Sequence, residues 1–153
     1  MTSSSADRAD AIDLVASNLL GRAARLTRLL MRSGAHEISR TEVGVLATLS
    51  DGPRRITQLA MTEALAQPTV TQLIDKLEGR ELVSRSRSEE DGRVVLVEIT
   101  TAGAEALEVV RRLIRANMRE ALVDLPDAEL TELAHAADTM GSLIEKLLPD
   151  PDA

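Results

Sequence analysis

The chain has 153 residues, 44% of them apolar, which is enough to bury one good core. Cysteine is absent, which excludes disulfides, thiolate metal sites and cysteine-based redox sensing; Phe, Trp and Tyr are absent too, which argues against single-strand and RNA modules that stack bases on aromatic rings. The formal net charge is −7, but residues 100–153 hold five basic against eleven acidic side chains, so nearly all of the surplus sits at that end and a polyanion-binding surface elsewhere is compatible with it.

The opening MTSSSADRAD is polar and has no apolar core of a signal peptide. No run of about eighteen apolar residues marks a membrane span, so a cytoplasmic protein is expected. From Asp7 to Ser33 the residues Ile12, Ala16, Leu19, Ala23, Leu26 and Leu30 recur at steps of four and three, which predicts a long helix. Arg22, Arg25, Arg28 and Arg32 form a basic stripe on it, read as a solvated face, and Gly34 is placed to cap its end. Ser39-Arg40-Thr41-Glu42 reads as a capping box that opens a second helix through Val43, Leu46, Ala47 and Leu49, stopped by Asp51-Gly52-Pro53.

The stretch from Gln58 to Ile99 organises the rest. Arg54-Arg55-Ile56 is short enough to pair as a third strand of a small sheet, and Thr57 is expected to cap a helix running through Leu65. Gln67-Pro68 restarts the chain as a further helix, Pro68 being tolerated in a first turn, and Gly79 is expected to end it. Val70, Leu73, Ile74 and Leu77 fall on one side of that helix. The other side presents Pro68, Thr69, Thr71, Gln72, Asp75 and Lys76, small hydroxyls, an amide and a cation of the kind that reach base edges and phosphates in a major groove. Leu82–Arg87 and Arg93–Ile99 read as two strands around the hairpin signal Asp91-Gly92, with Arg85, Arg87 and Arg93 flanking the turn. A helix-turn-helix followed by a β-ribbon wing accommodates both features.

Thr100 caps a helix to about Asp124, with Leu107, Val110, Ile114, Met118, Ala121 and Leu125 on one face. After Leu125-Pro126-Asp127 a last helix carries Leu130, Leu133, Ala137, Met140, Ile144 and Leu147, and the acidic, proline-rich PDPDA cannot extend it. The first and last two helices each keep an apolar seam that a small winged core cannot cover, so a twofold homodimer with these helices interleaved is expected. The fold class is mostly α with a small β-wing (α+β): one domain, residues 39–100 forming a winged helix-turn-helix lobe and 8–33 and 102–148 the dimerisation helices.

In four stretches the chain resembles the MarR (multiple antibiotic resistance regulator) family: ISRTEVGVLATL at 38–49, ITQLA at 56–60 with QPTVTQLIDKLE at 67–78, Asp91-Gly92-Arg93, and ITTAG at 99–103. The resemblance implies a homodimer that binds a pseudo-palindromic double-stranded operator, represses, and is released by a small aromatic or anionic effector. Carried over by position, it makes Pro68, Thr69, Thr71, Gln72 and Lys76 the recognition-helix contacts. Arg93 becomes the wing contact, oriented by Asp91, and Arg85 and Arg87 neutralise phosphates. Gln72 and Gly92 stand where many members carry arginine, and Glu89 and Glu90 make the wing tip acidic, so fewer cations face DNA.

Other chemistry has little support. His36 and His135 lack neighbours at metal-ligand spacing, and neither a glycine-rich phosphate loop nor a serine elbow is present, so no cofactor and no enzymatic activity are expected. Arg22, Arg25, Met31 and Met118 are the candidate border of an effector cavity, pairing adaptable thioethers with cations. The alternative to a DNA-binding regulator is a winged-helix protein-interaction module, or antirepressor, without DNA affinity.

Overall fold

The apolar spacing resolves into α1 (Ser3–Arg32), α2 (Arg40–Ser50), α3 (Ile56–Thr62), α4 (Gln67–Glu78), β1 (Val83–Arg87), β2 (Val95–Ile99), α5 (Thr101–Leu122) and α6 (Asp127–Leu147). The structure is a computed structural model that describes residues 3–32, 38–87 and 92–147. The expected Gly34 cap, His36, Asp91 with the acidic wing tip, and the PDPDA tail lie outside the described residues. The chain separates into two compact units, residues 1–115 and 116–153. No described helix is long and apolar enough to cross a membrane.

In the first unit, α2, α3, α4, the two strands and the start of α5 enclose one core. Val45, Leu46, Leu49, Leu59, Val70, Ile74, Leu77, Val83, Val97 and Leu107 are buried there. Val45, which the sequence reading passed over, is fully buried, whereas Val43 and Ala47 are half-buried at its edge. The capping box is present: Glu42 N–H donates to Ser39 Oγ at 3.3 Å, and Ser39 N–H donates to Glu42 Oε2 at 2.6 Å.

Both ends of α3 differ from expectation. α3 begins at Ile56, and its first turn is satisfied by Gln58, whose Oε1 accepts from Arg55 N–H at 2.9 Å; Thr57 is not the cap. It stops at Thr62, short of Leu65, because Ala64 turns left-handed (φ 52). Leu65 N–H then bonds Ala60 O and Ala64 N–H bonds Met61 O, the paired bonds of a Schellman ending with alanine where glycine is usual. α4 ends the same way. Gly79 ends the helix as expected, but it stays right-handed (φ −62) and the left-handed residue is Glu81 (φ 59), with Leu82 N–H on Leu77 O and Glu81 N–H on Glu78 O.

β1 and β2 pair antiparallel, with Val83 opposite Ile99, Arg85 opposite Val97 and Arg87 opposite Val95. The expected third strand shrinks to one bridge, in which Arg54 and Val97 exchange backbone bonds of 2.9 and 2.8 Å. Thr100 ties the wing to the end of α4. Its N–H donates to Leu82 O at 3.1 Å and its hydroxyl to Glu81 O at 2.7 Å, while the same hydroxyl accepts from Gly103 N–H at 3.0 Å and so caps α5. Gly103 is required there, because a Cβ would overlap the Leu82 carbonyl.

α1 leaves Ile12, Leu14, Val15 and Leu20 exposed, the last 80% so, and buries Leu30. In the second unit α6 has no buried residue: Leu133, Leu143, Ile144 and Leu147 are all exposed.

Candidate nucleic-acid interface

Alternate use of its faces determines what α4 can offer. Val70, Ile74 and Leu77 are buried in the core, so the intervening positions must face outward. Gln67, Pro68, Thr69 and Gln72, in the first two turns, are exposed and carry no formal charge. The start is shaped by Ala66, whose extended backbone accepts from Thr69 and Val70 N–H at 2.9 and 3.1 Å, and by Pro68, which needs no partner for an N–H. Thr71 is half-buried, and its hydroxyl donates to Gln67 O at 3.0 Å, so its one proton is spent within the helix.

The second half of α4 is charged and paired. Lys76 Nζ lies 3.0 Å from Glu42 Oε1, although the lysine side chain remains 61% exposed. Arg80 Nη1 reaches the same oxygen at 3.4 Å. Glu42 is buried, which opposes ionisation, but the Ser39 N–H and hydroxyl and the Lys76 ammonium outweigh that and hold its carboxyl below the ordinary glutamate range. One carboxylate thus closes the start of α2 and binds the end of α4.

On the wing side, Arg85 is forked across two acids of α4. Its Nη2 donates to Asp75 Oδ1 at 2.6 Å and its Nη1 to Glu78 Oε2. Partial burial of Arg85 works against its charge, but the two carboxylates prevail and raise its pKa further. Strand alternation explains the direction. Arg85 stands two residues after the buried Val83, on the same face of β1, and that face packs towards α4. Arg87 is exposed at the strand end, its Nη1 3.4 Å from Gly92 O, and Arg93 is exposed just beyond the turn.

The interface residues expected from sequence therefore separate into two sets. Pro68, Thr69, Gln72, Arg87 and Arg93 are exposed on α4 and the wing; Thr71, Lys76 and Arg85 have their polar groups engaged within the lobe. The sequence marks Glu42 only as a helix cap, and gives no sign of its pairing with Lys76 and Arg80. The available signal for the wing clamp was the pair Asp75 and Glu78, three apart on one helix face, followed by a strand arginine on the apolar register.

The expected effector residues are scattered along their helices. Arg22 lines a shallow hollow of about 250 Å³ on α1 with Leu14, Val15, Asn18 and Leu19, a hollow that Arg25 and Met31 do not line. Arg25 is exposed, Met31 is half-buried near the end of α1, and Met118 lies in the part of α5 that belongs to the second unit.

Comparison with known proteins agrees with this layout. The sequence profile of the MarR family matches residues 38–95. An HTH-type transcriptional regulator of Mycobacterium bovis is 32% identical over 134 residues, covering 86% of this chain and 94% of that protein. The crystal structure of apo MarR from E. coli superposes with a TM-score of 0.67 at 23% identity, over 87% of this chain and 96% of that one. BpsR of Bordetella bronchiseptica, whose DNA binding is regulated by 6-hydroxynicotinic acid, superposes with a TM-score of 0.56 at 21% identity, over 80% of this chain and 98% of that one. With a winged lobe that carries an exposed recognition helix, and with relatives that span nearly its whole length, the chain belongs to the MarR family and is a DNA-binding transcriptional regulator, not an enzyme.

Proposed function

We infer that the chain acts as a homodimeric repressor on a pseudo-palindromic operator, α4 of each protomer entering a major groove and each wing meeting the neighbouring minor groove. The observation that carries this reading is the exposed, uncharged first half of α4 in a lobe whose wing exposes Arg87 and Arg93. Gln72 reads adenine through its amide, and Thr69 meets a phosphate or a thymine methyl. Pro68 packs against the backbone, and Thr71, its proton already committed, contributes by shape. Arg93, oriented by Asp91, and Arg87 neutralise phosphates, and Lys76 adds its exposed charge.

Residues 39–100 serve as the DNA lobe of a single functional domain, and residues 8–33 and 102–148 as its dimerisation helices. The exposed leucines of α1 and α6 support the dimer, since apolar seams at helical spacing are what such an interface buries. Regulation of BpsR by 6-hydroxynicotinic acid supports release by a small aromatic or anionic effector. The regulator works in the cytoplasm, where its operator is.

A mobility shift with the DNA upstream of its own coding sequence, with excess competitor and at low and high salt, tests the reading. A shift that survives competitor and weakens with salt is expected. Absence of a shift at every salt from folded protein would favour the interaction module. Sedimentation equilibrium tests the dimer: wild type at twice the chain mass, and Ile144→Glu with Leu147→Glu at one chain mass.

A further inference from the structure

The charges on the outer half of the recognition helix pose a problem for DNA binding. α4 carries Asp75 and Glu78 against Lys76 alone, and Lys76 is held by Glu42. Two carboxylates on a helix that approaches phosphates would repel them. Both are met by one guanidinium, and it comes from the wing: Arg85 Nη2 donates to Asp75 at 2.6 Å and Nη1 to Glu78. Arginine is the side chain whose planar fork can serve two carboxylates at once. Arg85 is only 26% exposed, whereas Arg87, at the outer end of the same strand, is exposed.

We propose that Arg85 is a positioning residue for DNA binding and not a phosphate ligand. By forking across Asp75 and Glu78 it offsets half of the negative charge that these two side chains bring to the recognition helix and locks the base of the wing to it. Base reading is thereby confined to the uncharged turns from Gln67 to Gln72. The role rests on the DNA-binding surface inferred above and changes the part that Arg85 plays in it.

The test is a double-mutant cycle on the full chain, with its own upstream duplex as probe and affinity followed across salt concentrations. Arg85→Ala in the wild-type background leaves two carboxylates facing phosphates, and a loss of about ten-fold, equivalent to roughly 1.4 kcal/mol, is expected at low salt. In the Asp75→Asn, Glu78→Gln background the same replacement is expected to cost less than about two-fold, and its salt slope should stay as it was. An equal loss in both backgrounds, with the slope lowered by about one, would make Arg85 a direct phosphate ligand and overturn the proposal. No loss in either background would overturn it as well.

Circular dichroism at the amide bands checks folding. Should Arg85→Ala lose helicity, Arg85→Lys takes its place: it keeps the charge but not the fork. A several-fold loss at unchanged slope is then expected, and full affinity would overturn the role. Failure of the wild-type protein to bind DNA at any salt would instead remove the DNA-binding surface on which the role depends, and is read from the same titration.

Discussion

The carboxylate of Glu42, buried at the start of α2, lies 3.0 Å from the ammonium of Lys76 on the recognition helix. The same side chain accepts from Ser39 N–H at 2.6 Å. A residue that reads locally as a helix cap is also the anchor for the second half of α4. Replacing it removes a capping partner and leaves Lys76 and Arg80 without their shared acceptor. Glu42→Ala is expected to cost about 2 kcal/mol, measured by urea unfolding followed by far-UV circular dichroism. Its folded pKa is depressed, so its contribution is complete above the unfolded value of about 4.3 and is withdrawn as pH falls below that. The wild-type midpoint should fall more steeply than that of Glu42→Gln as pH is lowered through and below that value; parallel curves would refute the assignment.

Ala64 holds a left-handed φ of 52 at the turn between the two helices of the motif. An L-residue pays about 1–2 kcal/mol for that conformation, partly offset in glycine by its greater unfolded-state freedom. Ala64→Gly is therefore expected to raise stability by roughly 0.5–1 kcal/mol, seen as a higher urea midpoint with an unchanged slope.

Gly103 stands where any Cβ would meet backbone. The overlap is with the carbonyl of Leu82, which already accepts from Thr100 N–H at 3.1 Å, so the neighbour cannot rotate away as a side chain would. Gly103→Ala is expected to destabilise by about 2–3 kcal/mol despite the better helix propensity of alanine. A thermal melt that matches wild type would show that the wing junction can shift.

Gln72 is exposed on the uncharged turns of α4, far from any core contact that its loss would disturb. Gln72→Ala should leave the unfolding curve in place and weaken operator binding by roughly 1–3 kcal/mol, with relaxed preference at one base pair. Titration against operators altered one position at a time measures this. A uniform loss at all positions would indicate a phosphate contact.

Much of the fold was legible because its signals are local. The Ser39–Glu42 box is complete within one turn, the apolar rows of α1, α4, α5 and α6 repeat within their own helices, and alternation marks the strands. Those signals, with the four family-like stretches, sufficed to identify a winged helix-turn-helix and the exposed Pro68, Thr69 and Gln72 of α4, though not the half-burial of Thr71. They placed the end of α4 at Gly79 but misjudged the end of α3, because Ala64 adopts a conformation that composition assigns to glycine; there the chain's path into the next element decides, not the residue's own preference.

Charge partners were decided only by the tertiary structure. Asp75, Lys76 and Glu78 look alike in sequence, as charged residues on one helix, and apart from the apolar register of Arg85 nothing local says which partner each one meets. Arg80 and Glu42 are 38 residues apart, and they meet because α2 and α4 pack on one core. A charge is attracted to whatever opposite charge folding brings within a few ångströms, and that distance is a property of the packed lobe, not of the chain. The sequence by itself therefore determined the winged helix-turn-helix and the outward face of α4; the packing of α2 and the wing against that helix decided which of its charged side chains are engaged within the lobe.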